Sequence, residues 1–172
     1  ILDKRRQHDE LASAAIIQQS FLPKTSNLAA IEGVLELHAK MRPAREVGGD
    51  FYDFFMLDAG HLAIAIGDIC GKGIAASLFM AVVVTVLRTA AHEEKDVAST
   101  IARANAVLCR DNASSMFATV FYAVLNLRTG VLEYCNCGHN APFQLLASGE
   151  TRSFPATGLP LALYADRTPA MA

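Results

Sequence analysis

Residues 47–69 read VGGDFYDFFMLDAGHLAIAIGDI. Two apolar runs are joined by Asp58-Ala59-Gly60, and each is closed at its far end by a glycine and an aspartate, Gly49-Asp50 and Gly67-Asp68. Short apolar runs that meet at such a turn signal specify an antiparallel hairpin. With the turn centred on Ala59, paired residue numbers add to 118 and Asp50 falls opposite Asp68. Side chains directly opposite one another have Cβ atoms roughly 5 Å apart. The expectation depends on register, because a slip of one residue sends the two acids to opposite faces.

Two carboxylates held that close repel, at a cost of about 3 kcal/mol for an effective dielectric near 20. Protonation of one acid relieves the repulsion. So does an intervening cation, for which Arg42, Arg45 and Lys72 are near in sequence. A divalent ion relieves it too, and hard ions such as Mg²⁺ and Mn²⁺ favour carboxylate and carbonyl oxygens. Spacing alone leaves a metal site and a salt-bridge cluster level. Asp53 lies three residues from Asp50, on the other face of the strand, where it is expected to cap a helix or pair with an arginine.

The loop that follows, GDICGKG (67–73), invites comparison with phosphate-binding loops. It lacks both the G-x-x-x-x-G-K-[ST] spacing and the dinucleotide fingerprint G-x-G-x-x-G, so nucleotide binding through it is not expected. Lys72 sits just before a helix start, where a substrate phosphate would meet free backbone N–H groups. A solvated loop lysine explains it equally well.

Around the hairpin the pattern is helix, strands, two helices, strands. Residues 1–21 read as a helix ended by Pro23. IEGVLELHAKMR (31–42) alternates as a strand does. Residues 74–91 are apolar nearly all round and should form a deeply buried helix, with Ala75, Leu78, Phe79, Val82, Val86 and Thr89 on one face. Residues 96–111 form a second helix with Ile101, Ala104, Val107 and Leu108 inward; Asn105 and Asn112 read as ordinary polar and C-cap positions. Strands follow at 116–127 and 130–138, then a strand pair around Ser148-Gly149. Such segregated runs specify an α+β fold with an antiparallel sheet and helices outside.

Of the 172 residues, 52% are hydrophobic and 19% charged, with a net charge of −2. That supports a packed core and argues against a nucleic-acid surface. No run reaches the ~18 continuous apolar residues of a membrane span. ILDKRRQHDE is too charged for a signal peptide, and the missing initial Met points to upstream sequence. Cys70, Cys109, Cys135 and Cys137 fit no common zinc spacing and are expected to be reduced thiols of a cytoplasmic protein.

Four stretches in consistent order, QQSFLPK, EVGGDFYDFF, IGDICGKGIAASLFMA and MFATVFYAVLNLRTGVLEYCNCGHNAPF, resemble the bacterial PP2C-like (PPM) serine phosphatases of the SpoIIE/RsbU type. The resemblance covers roughly residues 15–162. It implies a PP2C-like antiparallel β-sandwich flanked by helix pairs and a binuclear Mn²⁺ or Mg²⁺ centre. Asp50, Asp68 and the backbone carbonyl of Ile69 would be its ligands. The activity implied is hydrolysis of phosphoserine or phosphothreonine by metal-activated water, with no covalent enzyme intermediate. The implied substrate is a phosphorylated anti-sigma-factor antagonist of the STAS type.

The resemblance also implies a sensor or receiver module before residues 1–22, which would act as a regulatory helix, possible homodimer included, coupled to the hairpin carrying Asp50; residues 23–172 would be phosphatase domain. A membrane tether through that module is compatible. The later DG-x-x-E stretch and final Asp of the family do not occur, and Asp166 does not match them. The chain is therefore expected to be the N-terminal part of a catalytic domain, weak in metal binding. The alternative is a regulatory pseudophosphatase that binds its partner without turnover. His139, in the motif CGHN, has a general-acid reading and a structural one; the structural one is favoured, since no carboxylate in the nearby sequence orients the ring.

Overall fold

A computed structural model describes residues 2–24, 31, 33–42, 46–110 and 112–166. The chain opens with helix α1 (Leu2–Phe21) and continues through β1 (Phe51–Asp58), β2 (His61–Ile69), α2 (Ile74–Glu93), α3 (Val97–Arg110), β3 (Ala118–Asn126) and β4 (Leu132–Cys137). A short hairpin of β5 (Phe143–Leu145) and β6 (Thr151–Ser153) follows. The four long strands form one antiparallel sheet in chain order, β1-β2-β3-β4. This is the expected α+β arrangement.

The alternation of the strands divides the core. One face, carrying Phe51, Ala65, Ile69, Val120, Tyr122, Cys135 and Cys137, packs under α2 and α3 in the main cluster. Complete burial of side chains such as Phe51, Ile69 and Met80 contributes roughly 2 kcal/mol each. The other face carries Phe54 and Leu62 on one side and Phe121, Ala123 and Tyr134 on the other. Phe154, just past β6, closes on Phe121 and Tyr134 with ring centroids 5.9 and 5.1 Å away.

Residues 34–42 depart from the expected strand: they form no ladder among the described residues. Their alternation is still used, since Leu35, Leu37 and Ala39 turn inward onto Phe54 and Leu62. Period-two patterning reports a half-buried extended segment, not the partner that would make it a strand.

The two helices after the hairpin start and stop as expected, but α2 is buried on one side and not deeply all round, and of its expected face only Phe79 and Val86 pack partly against the core. Its buried face is Ala76, Met80, Val83, Val84, Leu87, Ala90 and Ala91, while Ile74, Leu78 and Val82 are exposed. A helix apolar on every side carries no phase information. By length and composition α2 is apolar enough to cross a bilayer, yet here one face lies on the sheet and α3. In α3, Asp96 caps the first turn, accepting from the Ser99 amide at 2.8 Å.

Three asparagines fix the loop after β6. Asn105, read from sequence as an ordinary polar position, is fully buried; its amide donates to the Tyr164 carbonyl and its oxygen accepts from the Ala162 N–H. Asn112 donates to the Met116 and Ala162 carbonyls. Asn136 donates to the Phe154 carbonyl. None of the four cysteines is in a disulfide. Burial pushes the Cys135 thiol up to about 11 and the Cys137 thiol further still, as expected of core thiols.

Candidate functional site

β1 and β2 pair with Phe51 opposite Gly67 and Tyr52 opposite Ile66, the register in which Asp50 stands across from Asp68. The route to it differs from the symmetric hairpin. The tight turn is Ala59-Gly60, with Asp58 facing His61, and an irregularity between Met56 and Asp58 shifts the ladder by one residue. Centring the hairpin on Ala59 absorbs that bulge.

Two glycines allow the acids to approach. A Cβ on Gly49 would lie 2.9 Å from both the Cβ and the carbonyl oxygen of Ile69. A Cβ on Gly67 would lie 2.6 Å from the Phe51 ring and 2.7 Å from the Thr119 carbonyl. Only bare backbone fits at either place, so the chain before Asp50 lies directly against the chain after Asp68.

Both acids are solvent-accessible. Asp68 nevertheless holds its proton more tightly than an ordinary aspartate: partial burial is the main cause, followed by the charge of Asp50 and a hydrogen bond shared with it. Among the described residues no ion pair brings Arg42 or Lys72 to either acid; Arg45 lies outside them. No described lysine or arginine therefore offsets the repulsion within the pair, which a divalent cation would remove. With the Ile69 carbonyl the pair supplies hard oxygen donors, which fit Mg²⁺ or Mn²⁺. The described residues contain no cluster of three or more His, Cys, Asp or Glu that could hold a metal, so a full ligand set would need donors beyond these.

Lys72 is exposed between Gly71 and Gly73, at the entrance to α2. No side-chain cap closes that helix end, which leaves first-turn N–H groups open. Asp53 behaves as expected of the opposite face: buried, it takes a bidentate ion pair from Arg88 at 2.5 and 2.6 Å.

His139 has a place that the sequence reading missed. β2 and β3 pair Asp68 with Thr119, and β3 and β4 pair Val120 with Cys137, which continues the row of acids across the sheet to the CGHN turn. The His139 Nδ1 lies 2.9 Å from the Thr119 hydroxyl, and its backbone N–H donates to Asn136. Burial lowers the affinity of the ring for a proton, and the charges of Asp68 and Asp50 oppose that. An orienting partner exists after all, supplied by a strand twenty residues away. The signal was the register that sets Thr119 beside Asp68 and brings the turn after Cys137, next to His139, alongside it, visible only once the strand order is known.

On the other side of the site, α1 reaches the glycines directly. Gln18, buried in an otherwise exposed stretch of helix, donates to the Gly48 carbonyl at 2.6 Å and accepts from the Gly48 N–H at 3.1 Å.

This sheet, its helix pair and the acidic hairpin define the PP2C class of fold. A family profile described as Stage II sporulation protein E (SpoIIE) matches residues 58–171, and the chain belongs to that family. It is 31% identical to Protein IcfG of Synechocystis sp. over 92% of this chain and 29% of that protein. It is 30% identical to the phosphoserine phosphatase RsbU of Bacillus subtilis over 91% of this chain and 46% of that protein. The chain thus spans less than half the length of either relative. Among solved structures, the SiaA-PP2C domain of Pseudomonas aeruginosa superposes with a TM-score of 0.75 at 20% identity, covering 99% of this chain and 68% of that one. The RsbU and RsbW domains of Rv1364c from Mycobacterium tuberculosis give 0.62 at 22% identity, covering 76% and 37%. These likenesses show the PP2C-like fold.

Proposed function

We propose that this chain is the metal-holding part of a metal-dependent protein serine/threonine phosphatase. The observation that carries the reading is the Asp50–Asp68 pair, forced together by Gly49 and Gly67 and left without a cation among the described residues. Asp50, Asp68 and the Ile69 carbonyl would hold Mn²⁺ or Mg²⁺, which when bound supplies Lewis-acid activation of water against a phosphoryl group. A structure of RsbX in complex with magnesium shares the fold, with a TM-score of 0.60.

The chain's own residues do the rest. Gly49 and Gly67 hold the donors at fixed spacing, and His139, steadied by Thr119, borders them. Lys72 and the open end of α2 face solvent where an anionic substrate would arrive. The substrate of this reading is a phosphorylated STAS-type anti-sigma-factor antagonist, in keeping with the RsbU relative. Residues 1–22 act as a regulatory helix, with Gln18 as the contact that transmits its position, below an upstream sensor or receiver module.

In the full-length protein, manganese-dependent hydrolysis of p-nitrophenyl phosphate, lost in Asp68→Asn, is the expected result; hydrolysis that survives Asp68→Asn overturns the reading. The incomplete ligand set favours one alternative, a pseudophosphatase. That protein would bind the phosphorylated partner and release no phosphate.

A further inference from the structure

His139 is mounted from several sides. It follows Gly138, the first residue past β4, whose φ of 71° turns the chain. A Cβ on Gly138 would lie 3.1 Å from the Pro160 ring, so the turn is closed against the chain that returns past β6. The His139 N–H donates to the side-chain oxygen of Asn136 at 2.8 Å, and Asn136, fully buried, gives its own amide to the Phe154 carbonyl. That grip is on the backbone of His139, so it accounts for the turn and not for the imidazole.

The ring is anchored at one nitrogen and open at the other. Nδ1 lies 2.9 Å from the Thr119 hydroxyl, which itself points at the Asp68 carbonyl from 3.5 Å. A hydroxyl that donates toward Asp68 accepts from Nδ1–H, which leaves Nε2 as the bare nitrogen of the neutral ring. Among the described residues Nε2 has no hydrogen-bond partner, and the half-buried ring forms no ion pair with Asp50 or Asp68.

The spacing suits a substrate between ring and acids. Asp68, Thr119 and the CGHN turn stand on successive strands. Adjacent strands lie ~4.8 Å apart, which puts the turn about 10 Å from Asp68 at the backbone. A phosphoryl group held at the acids fits into that interval, with its ester oxygen toward the ring.

We propose, resting on the phosphatase reading, that His139 is the proton donor to the leaving oxygen of a phosphoseryl substrate. Water adds to phosphorus, the bond from phosphorus to the serine oxygen breaks, and the proton on Nε2 passes to that oxygen. The ring is left neutral with its remaining proton on Nδ1, the form that Thr119 accepts from. The proton lost by the water goes to solvent, which recharges the ring. A phosphoryl dianion beside Nε2 favours the charged ring at the moment it is needed.

The test compares two leaving groups in the full-length protein with Mn²⁺. p-Nitrophenolate leaves without a proton, whereas a serine alkoxide does not. His139→Gln should lower kcat on a synthetic phosphoserine peptide about a hundredfold, and on p-nitrophenyl phosphate by far less. Thr119→Val should show the same bias to a smaller degree. Equal losses on the two substrates, or none on the peptide, overturn the proposal. A wild type that cleaves only the aryl phosphate also overturns it, while one that cleaves neither overturns the phosphatase reading as well. Ring-nitrogen NMR of the metal-free chain gives a readout apart from turnover. The neutral His139 ring should carry its proton on Nδ1 and lose that preference in Thr119→Val. A neutral ring protonated on Nε2 would contradict the proposal, because an acid that gives up that proton must come to rest in the Nδ1–H form.

Discussion

Gln18 grips Gly48 with both ends of its side-chain amide, and Gly48 stands two residues before Asp50. A single turn of α1 therefore determines where one of the two acids begins its strand. In a helix whose neighbouring Ile16 and Ile17 are 70% and 60% exposed, burial of a glutamine marks a contact made for position and not for core.

Removing that grip should loosen the metal donors before it unfolds the domain. Gln18→Ala leaves the Gly48 amide and carbonyl without these partners. Faster hydrogen exchange at Gly48, Gly49 and Asp50 is expected, with Mn²⁺ affinity reduced several-fold and the far-ultraviolet spectrum unchanged. Unaltered exchange at those three amides would show that α1 does not position Asp50.

The Asp53–Arg88 pair should behave as a buried charge with one essential partner. Arg88 also lies over the Phe55 ring, 5.1 Å from its centroid. Arg88→Ala strands the Asp53 carboxylate and should cost about 3 kcal/mol in chemical denaturation. Asp53→Leu combined with Arg88→Leu should recover most of that loss. A double variant as unstable as the single one would contradict this account.

Ala162 carries a φ of 65°, a conformation that costs a side chain but not glycine, and Asn105 and Asn112 both bond to its backbone. Ala162→Gly should stabilise the protein by up to about 1 kcal/mol, the relief of a left-handed backbone less the entropy returned to the unfolded chain. A lower denaturation midpoint would mean that the Ala162 methyl packs more usefully than its backbone is strained.

What the sequence disclosed follows from which forces are local. The hairpin register was legible because turn residues and terminal glycines lie within twenty residues of each other, and the bulge before Asp58 happened to preserve it. Asp53 was separated from Asp50 by parity alone. The phase of α2 was illegible: Leu78 and Val83 are equally apolar, and only the sheet decides which is covered. Residues 34–42 showed their inward face and not their missing ladder. His139 and Gln18 were undervalued for the same reason, since Thr119 and Gly48 reach them from distant parts of the chain. Asn105 looked like any polar helix residue, because the backbone it satisfies lies more than fifty positions away.

The central claim, that Asp50 and Asp68 share a divalent cation, is tested most directly by paramagnetic line broadening with substoichiometric Mn²⁺. Amide signals of Asp50, Asp68, Ile69, Thr119 and His139 should vanish first, and Asp68→Asn should restore them while raising the melting temperature of the metal-free protein by removing the repulsion. Broadening centred elsewhere, or unchanged in Asp68→Asn, would contradict it.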